Sequence, residues 1–388
     1  MLGLVSAVAC GTEDPNPIDS GSGGASSGGA PGSGGEIGSG GAATGGAASG
    51  GNASGGETST GGQDGTGGDA AAEACHAASD AGDLTTRLPC LLSQTGLYQA
   101  DMTTLADDVH PFTPEFPLWT DGAAKKRWIS LPANTQVDTT DMDEWVFPVG
   151  TRLWKEFARD GVRVETRLIE KQDSGAWRLV AYQWREDQKE ADAVPNGVTN
   201  ASGTEHDVPN VDACGTCHGE RPDNVLGFSA LQLSHEPINA EDTKELTLQR
   251  LIDADLLTAP PDGPFVVPGT DAERAFFGYV HGNCSHCHNP DGAGFEKTGM
   301  DLGLKVAELE GPVQEFDVYL GLVNQPIGWV DGTRPDATVR VVPGSPETSA
   351  LYQRFMTKGQ PWSMPPLGTE LLDPAGEAAI ETFIQTLE

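Results

Sequence analysis

Hydrophobic and polar positions alternate with period two along Val162, Arg163, Val164, Glu165, Thr166, Arg167 and Leu168. That period puts the apolar residues and Thr166 on one face of a half-buried β-strand and the charged residues on the other. Residues 177–184 (Trp-Arg-Leu-Val-Ala-Tyr-Gln-Trp) are rich in β-formers and predict a neighbouring strand, joined through the turn residues Asp173, Ser174 and Gly175. Trp145, Val146 and Phe147 predict a further short strand, separated from Leu153 and Trp154 by the turn Pro148-Val149-Gly150. Six of the eight tryptophans lie in residues 97–193. They are expected to fill the core of an antiparallel sheet or small sandwich, not to bind a ligand.

Beyond His206 the hydrophobic period lengthens. Residues 245–257 and 272–280 predict short helices. Ser345-Pro346 and Asp373-Pro374 each set a capping side chain before a proline at the first helical position. Ile380, Phe383, Ile384 and Leu387 form an i, i+3, i+4, i+7 stripe on the terminal helix, which has to pack against something.

Composition divides the chain further. Of its 51 glycines, 22 lie between Gly21 and Gly68, a stretch without an aromatic residue. Such a segment cannot bury enough apolar surface to offset the entropy of ordering it. The expected fold class is therefore α+β and multidomain: a disordered Gly/Ser/Ala-rich tether, an antiparallel β domain and a mainly α region. The boundaries fall at 1–10 (a leader), 11–70 (the tether), 71–204 (the β-rich domain with its entry segment) and 205–388 (the helical region). No run after the tether reaches the ~18–20 apolar residues of a membrane-spanning helix, so a multi-span membrane protein is not expected.

The net charge is -34, from 57 acids against 23 bases. A field of that sign repels phosphate backbones, which argues against nucleic acid as a partner and favours basic proteins or cationic surfaces. Acidity also serves solubility by itself.

The seven cysteines separate into one, two and four. Ala7-Val8-Ala9-Cys10 resembles the lipobox of bacterial lipoproteins, in which the cysteine becomes a lipidated N-terminus, although the basic start of a secretory signal is missing. That resemblance implies export to the cell envelope or periplasm, with membrane association only through a lipid anchor at Cys10. Cys75 and Cys90 enclose 14 residues, a comfortable disulfide loop in an oxidising compartment; two buried free thiols are the alternative.

The remaining four carry the chemistry. Cys214-Gly215-Thr216-Cys217-His218 and Cys284-Ser285-His286-Cys287-His288 are two Cys-x-x-Cys-His motifs. Thiols three positions apart can form thioethers with the two vinyl groups of one haem, and the following histidine then coordinates iron. Two covalent haem c groups are thus expected, on Cys214, Cys217 and His218 and on Cys284, Cys287 and His288. A zinc site from both Cys-x-x-Cys pairs would leave each histidine unexplained and would span an unusually long separation. A thioredoxin-like dithiol would need one motif in a βαβ setting. Two structural disulfides would be tight and strained.

A sixth iron ligand comes typically from Met or His. Met364 lies in Trp362-Ser363-Met364-Pro365-Pro366, where the prolines stiffen the loop, and is the favoured axial ligand over Met300 and Met356. It can equally be a core gap-filler. The first haem has no comparable methionine. His206, His235 and His281 are its distal candidates, and a five-coordinate iron is the alternative.

Residues 206–388 resemble bacterial c-type cytochrome modules, in which a helix leads into Cys-x-x-Cys-His and a C-terminal helix packs across it. The wider chain is similar to a family of exported dihaem c-type cytochromes. The matching segments are Leu118-Trp119-Thr120-Asp121-Gly122-Ala123, Phe147-Pro148-Val149-Gly150-Thr151, Asn283 to Pro290 and Met364-Pro365-Pro366, with a long insert at 305–340 as a departure. The resemblance implies single-electron transfer between a donor and an acceptor protein. An electron carrier is expected ahead of an enzyme; a dihaem peroxidase-like protein and a module docking onto a partner dehydrogenase are the alternatives.

Overall fold

The computed structural model describes residues 89–221, 223–328 and 336–388. The leader, the tether and Cys75 lie outside the described residues. Contacts divide the chain into Met1–Gly62 and Gln63–Glu388, and everything described belongs to the second unit. It is a mixed α+β structure. Among the described residues no helix is long and apolar enough to cross a membrane.

Six antiparallel strands follow one another in sequence order: β1 (His110–Pro111), β2 (Ala124–Ser130), β3 (Arg152–Arg159), β4 (Val162–Lys171), β5 (Trp177–Trp184) and β6 (Ala191–Ala193). The alternating pattern at 162–168 and the β-rich run at 177–184 are two of these strands, paired as expected with Leu168 opposite Val180. Trp145–Phe147 forms no strand, only an isolated bridge between Asp138 and Val146. Its backbone is instead bonded to an ion pair, described below.

One sheet face packs Trp128, Trp154, Leu168, Val180, Tyr182 and Trp184 against Leu92, Leu97 and Val109 from the entry segment. Cys90, in that segment, is disulfide-bonded. The alternation predicts Arg163, Glu165 and Arg167 on the opposite, solvated face. Glu165 and Arg167 lie there, but past a bulge in the ladder at Phe157–Ala158 Arg163 turns to the first face and lies over the Trp184 ring at 3.5 Å. The opposite face is covered: Ile129, Leu153 and Ile169 pack against Phe228, Leu233 and Leu251, and Glu165 is fully buried. A period of two reports that the faces differ, and it does not report that the polar one meets water.

The helices are α1 (Val211–His218), α2 (Leu248–Asp253), α3 (Asp271–Asn283), α4 (Ala293–Thr298), α5 (Asp317–Leu322), α6 (Ala350–Met356) and α7 (Pro374–Thr386). The helix expected at 245–257 is only the six residues of α2, because the Thr247 side chain accepts from Arg250 N and caps it late. Ser345-Pro346 opens a single 3-10 turn without a side-chain cap, whereas Asp373 caps α7 by accepting from Ala375 N.

The α7 stripe packs on α3, with Phe276 and Phe383 stacked at 3.8 Å between ring centroids. Phe277, Val280, Phe316, Ile380 and Ile384 complete this second core. Leu309, Val313, Phe316, Val318 and Leu322 bring residues 309–322 of the insert into that core. Gly376 permits the close approach, since a Cβ there would overlap the Tyr279 phenol. Overpacking costs ~1–3 kcal/mol and outweighs the ~1 kcal/mol gain in helix propensity. Gly376→Ala is therefore expected to lower Tm in a thermal melt, and an unchanged or raised Tm would contradict this packing.

Candidate haem and metal site

The first motif forms the last five residues of α1. The Asn210 side chain accepts from Ala213 N at 2.8 Å and starts the helix, which ends at His218. His218 Nδ1 donates to the Asn224 carbonyl at 2.7 Å. The proton is thereby held on Nδ1, and Nε2 keeps its lone pair. Burial pushes the His218 pKa down to about 4, so the ring is neutral near pH 7.

Asn224 can present its carbonyl because it sits in the left-handed region, with φ of 56°, which asparagine tolerates better than most residues. Its neighbour Asp223 is the anchor. One Asp223 oxygen accepts from Lys171 Nζ at 2.7 Å and from Trp177 Nε1 at 2.8 Å, and the other accepts from Phe147 N at 2.5 Å. Lys171 Nζ also donates to the Phe147 carbonyl at 2.8 Å. Both charged side chains are buried. The strand end at Lys171 and the Phe147 segment thus hold the turn that orients His218.

The second motif continues from α3. Cys287 N and His288 N both donate to the Cys284 carbonyl, and the Asn289 side chain donates to the carbonyls of Ser285 and His286. His288 is buried, with Nδ1 at 3.5 Å from Thr298 Oγ1, whose hydroxyl donates to Gly294 O. Thr298 is left to accept from Nδ1, again sparing Nε2. Gly294 passes close: a Cβ there would lie 2.6 Å from Cys287 O and 2.9 Å from His288 Nδ1. Burial also holds the His288 pKa near 4.

The fold brings the motifs together. Ligand atoms of Cys217, His286 and Cys287 all lie within 4.8 Å of one another, a group able to hold a metal ion. Cys214 and Cys284 are outside this group, so the four-thiolate arrangement weighed from the sequence is not the one assembled. The Cys217 pKa falls to about 4 because Cys287 and His286 donate hydrogen bonds to its sulfur. That of Cys287 rises, its proton being held by Cys217 and by Glu220. Among the described residues, Glu220 Oε2 is buried without a hydrogen-bond partner. Burial pushes the Cys284 pKa up to about 12.

A cavity of about 590 Å³ lies between the sheet and the first motif. Cys214, Cys217, His218, His281 and His286 line it, together with Pro365, Pro366 and Leu367 of the C-terminal loop. That loop is clamped by the Leu118–Ala123 segment. The Asp121 carboxylate accepts from Glu370 N and Leu371 N, Trp119 Nε1 donates to Leu371 O, and Trp119 N donates to Asn283 Oδ1. Trp119, expected in the sheet core, serves instead at this junction.

No family model, curated protein or solved structure matches this chain.

The donor chemistry fits covalent haem. Each motif pairs two thiols with a neutral histidine whose Nδ1 is engaged and whose Nε2 is spared, as iron coordination requires. Met364 lies outside the cavity lining, as do Cys284, Cys287 and His288 of the second motif. Its backbone N donates to Arg354 O, and Arg354 acts electrostatically on His288.

The distal histidines considered for the first haem are otherwise engaged. His206 Nε2 is 2.7 Å from Glu165, and both nitrogens of His235 face carbonyls, of Glu236 and Thr113. His281 Nδ1 accepts from Leu304 N, which puts the proton on Nε2. Sequence reasoning missed Asp223, Asn224, Lys171, Glu220 and His286. No local pattern marks the first four, whereas His286 was visible as the variable residue beside Cys287.

Proposed function

We propose that the chain is an exported dihaem c-type cytochrome that transfers single electrons between donor and acceptor proteins. The observation that carries this is the repeated preparation of a histidine. After each Cys-x-x-Cys pair, imidazole Nδ1 meets an oxygen acceptor while, among the described residues, Nε2 has no hydrogen-bond partner. Iron in the bound porphyrins would supply the one-electron couple. The chain's own residues do the rest. Cys214, Cys217, Cys284 and Cys287 hold the cofactors, and His218 and His288 coordinate. The closeness of Cys217 to Cys287 would keep the two centres near each other. Met364 is the proposed axial ligand of the second centre. The Gly/Ser/Ala-rich segment would act as a spacer from a lipid anchor at Cys10, and the β-rich and helical parts would act as separate domains within the folded unit.

The engaged state of His206, His235 and His281 favours an open distal side at the first centre, which is the feature a peroxidase-like enzyme would use. The protein matured in cells able to attach haem c is expected to stain for haem on a denaturing gel and to gain two haem masses. An unmodified chain containing zinc or another transition ion, bound at Cys217, His286 and Cys287, would overturn the reading in favour of a metal site. Peroxide turnover would move the assignment from carrier to enzyme.

A further inference from the structure

Arg127 on β2, Lys155 on β3 and Arg167 on β4 stand directly opposite one another on the sheet face under the cavity. All three line that cavity. Like charges on facing strand positions destabilise a sheet, and buried charge costs more unless it is paired. Only Arg167 has a carboxylate: Glu165 accepts from its guanidinium at 2.5 and 2.9 Å, and shares itself with His206. Arg127 is 8% exposed, and among the described residues its side chain has no ion pair or hydrogen bond. Lys155 has none either, its ammonium lying 4.9 Å from the Phe157 ring centroid.

Among the described residues, no acid lining the same cavity is ion-paired to this row. Asp121, Asp207 and Asp373 accept from backbone N–H groups of residues 370–371, 200 and 375, and Glu205 and Glu370 are exposed. The row itself therefore holds three cations against the single carboxylate of Glu165, in a chain whose net charge is -34. The adjoining row, Ile129, Leu153 and Ile169, is apolar, and Phe112, Phe116, Trp119 and Phe355 close other sides.

We infer that Arg127, Lys155 and Arg167 form an anchoring site for a ligand with an apolar body and two carboxylates. Arg presents its donors in a fork matching a carboxylate, and two carboxylates would balance the surplus charge. The carboxylates have two sources: the propionates of a haem held by the first motif, or a diffusible dicarboxylic acid. Only the first source rests on the dihaem reading.

The test uses the purified, matured protein with its haem content measured, and compares it with Lys155→Met and Arg127→Gln, which remove one charge each while keeping most of the side-chain volume. Succinate is the probe, followed by calorimetry, and the midpoint potentials of the haems are followed by redox titration. A diffusible acid is supported if succinate binds and either substitution weakens it tenfold or more. Propionate anchoring is supported if succinate does not bind and either substitution lowers the potential of one haem, since removing a cation favours the oxidised iron. Folded variants that match the unaltered protein in succinate binding and in both potentials would overturn the inference. A chain without covalent haem would defeat the dihaem reading alone, and succinate binding would then decide the site.

Discussion

Changing Cys214 and Cys217 together to serine is expected to leave one covalent haem where the proposed dihaem protein would carry two. The remaining haem would be the one on Cys284 and Cys287. Thioether formation needs the sulfur atoms themselves, and serine supplies none. The second core should survive, since Phe276, Phe383 and Ile384 lie outside the first motif. Mass spectrometry of the matured chain gives the count directly. Loss of both haems with the fold intact would mean that the motifs load as one unit, as the closeness of Cys217 and Cys287 would allow. Unchanged mass would remove the first motif from haem attachment altogether.

The largest effect on stability is expected at Asp223. Its carboxylate takes three hydrogen bonds from Lys171, Trp177 and Phe147. Asp223→Ala would strand a buried ammonium and a buried N–H together. Breaking such a pair from one side costs ~3–5 kcal/mol, which corresponds to a fall in Tm on the order of 10 °C. Adding Lys171→Met should recover much of that loss, because the uncompensated charge is then gone. The paired substitution should still alter the absorption and EPR spectra of the first haem, since the Asn224 carbonyl that orients His218 follows directly after Asp223. Thermal melts separate the stability effect from the spectral one. A single variant as stable as the unaltered protein would show that the ion pair does not hold the turn.

Some of this organisation is readable without tertiary structure. The strands at 162–171 and 177–184 follow from alternation and from the turn between them. The α7 stripe announces a helix that must be covered, and its partner proves to be α3, directly ahead of the second motif. The Leu118–Ala123 segment could be matched to a family, yet its task could not be read. Only the fold shows Asp121 accepting from residues 370 and 371, some 250 positions later. The misreading of the 163–167 face has the same origin. Arg163, Glu165 and Arg167 alternate as a solvated face would, and the residues that cover Glu165 and Arg167 belong to other parts of the chain.

By itself the amino-acid sequence determined the two thiol pairs, the histidine behind each, the helix and strand periods and the overall charge, because each is set within a few bonds or turns of one segment. Tertiary structure decided which oxygen meets His218, which acids are already spent, and that Arg127, Lys155 and Arg167 line up beneath a cavity. Those relations join residues far apart along the chain through packing and strand register, which local spacing does not encode.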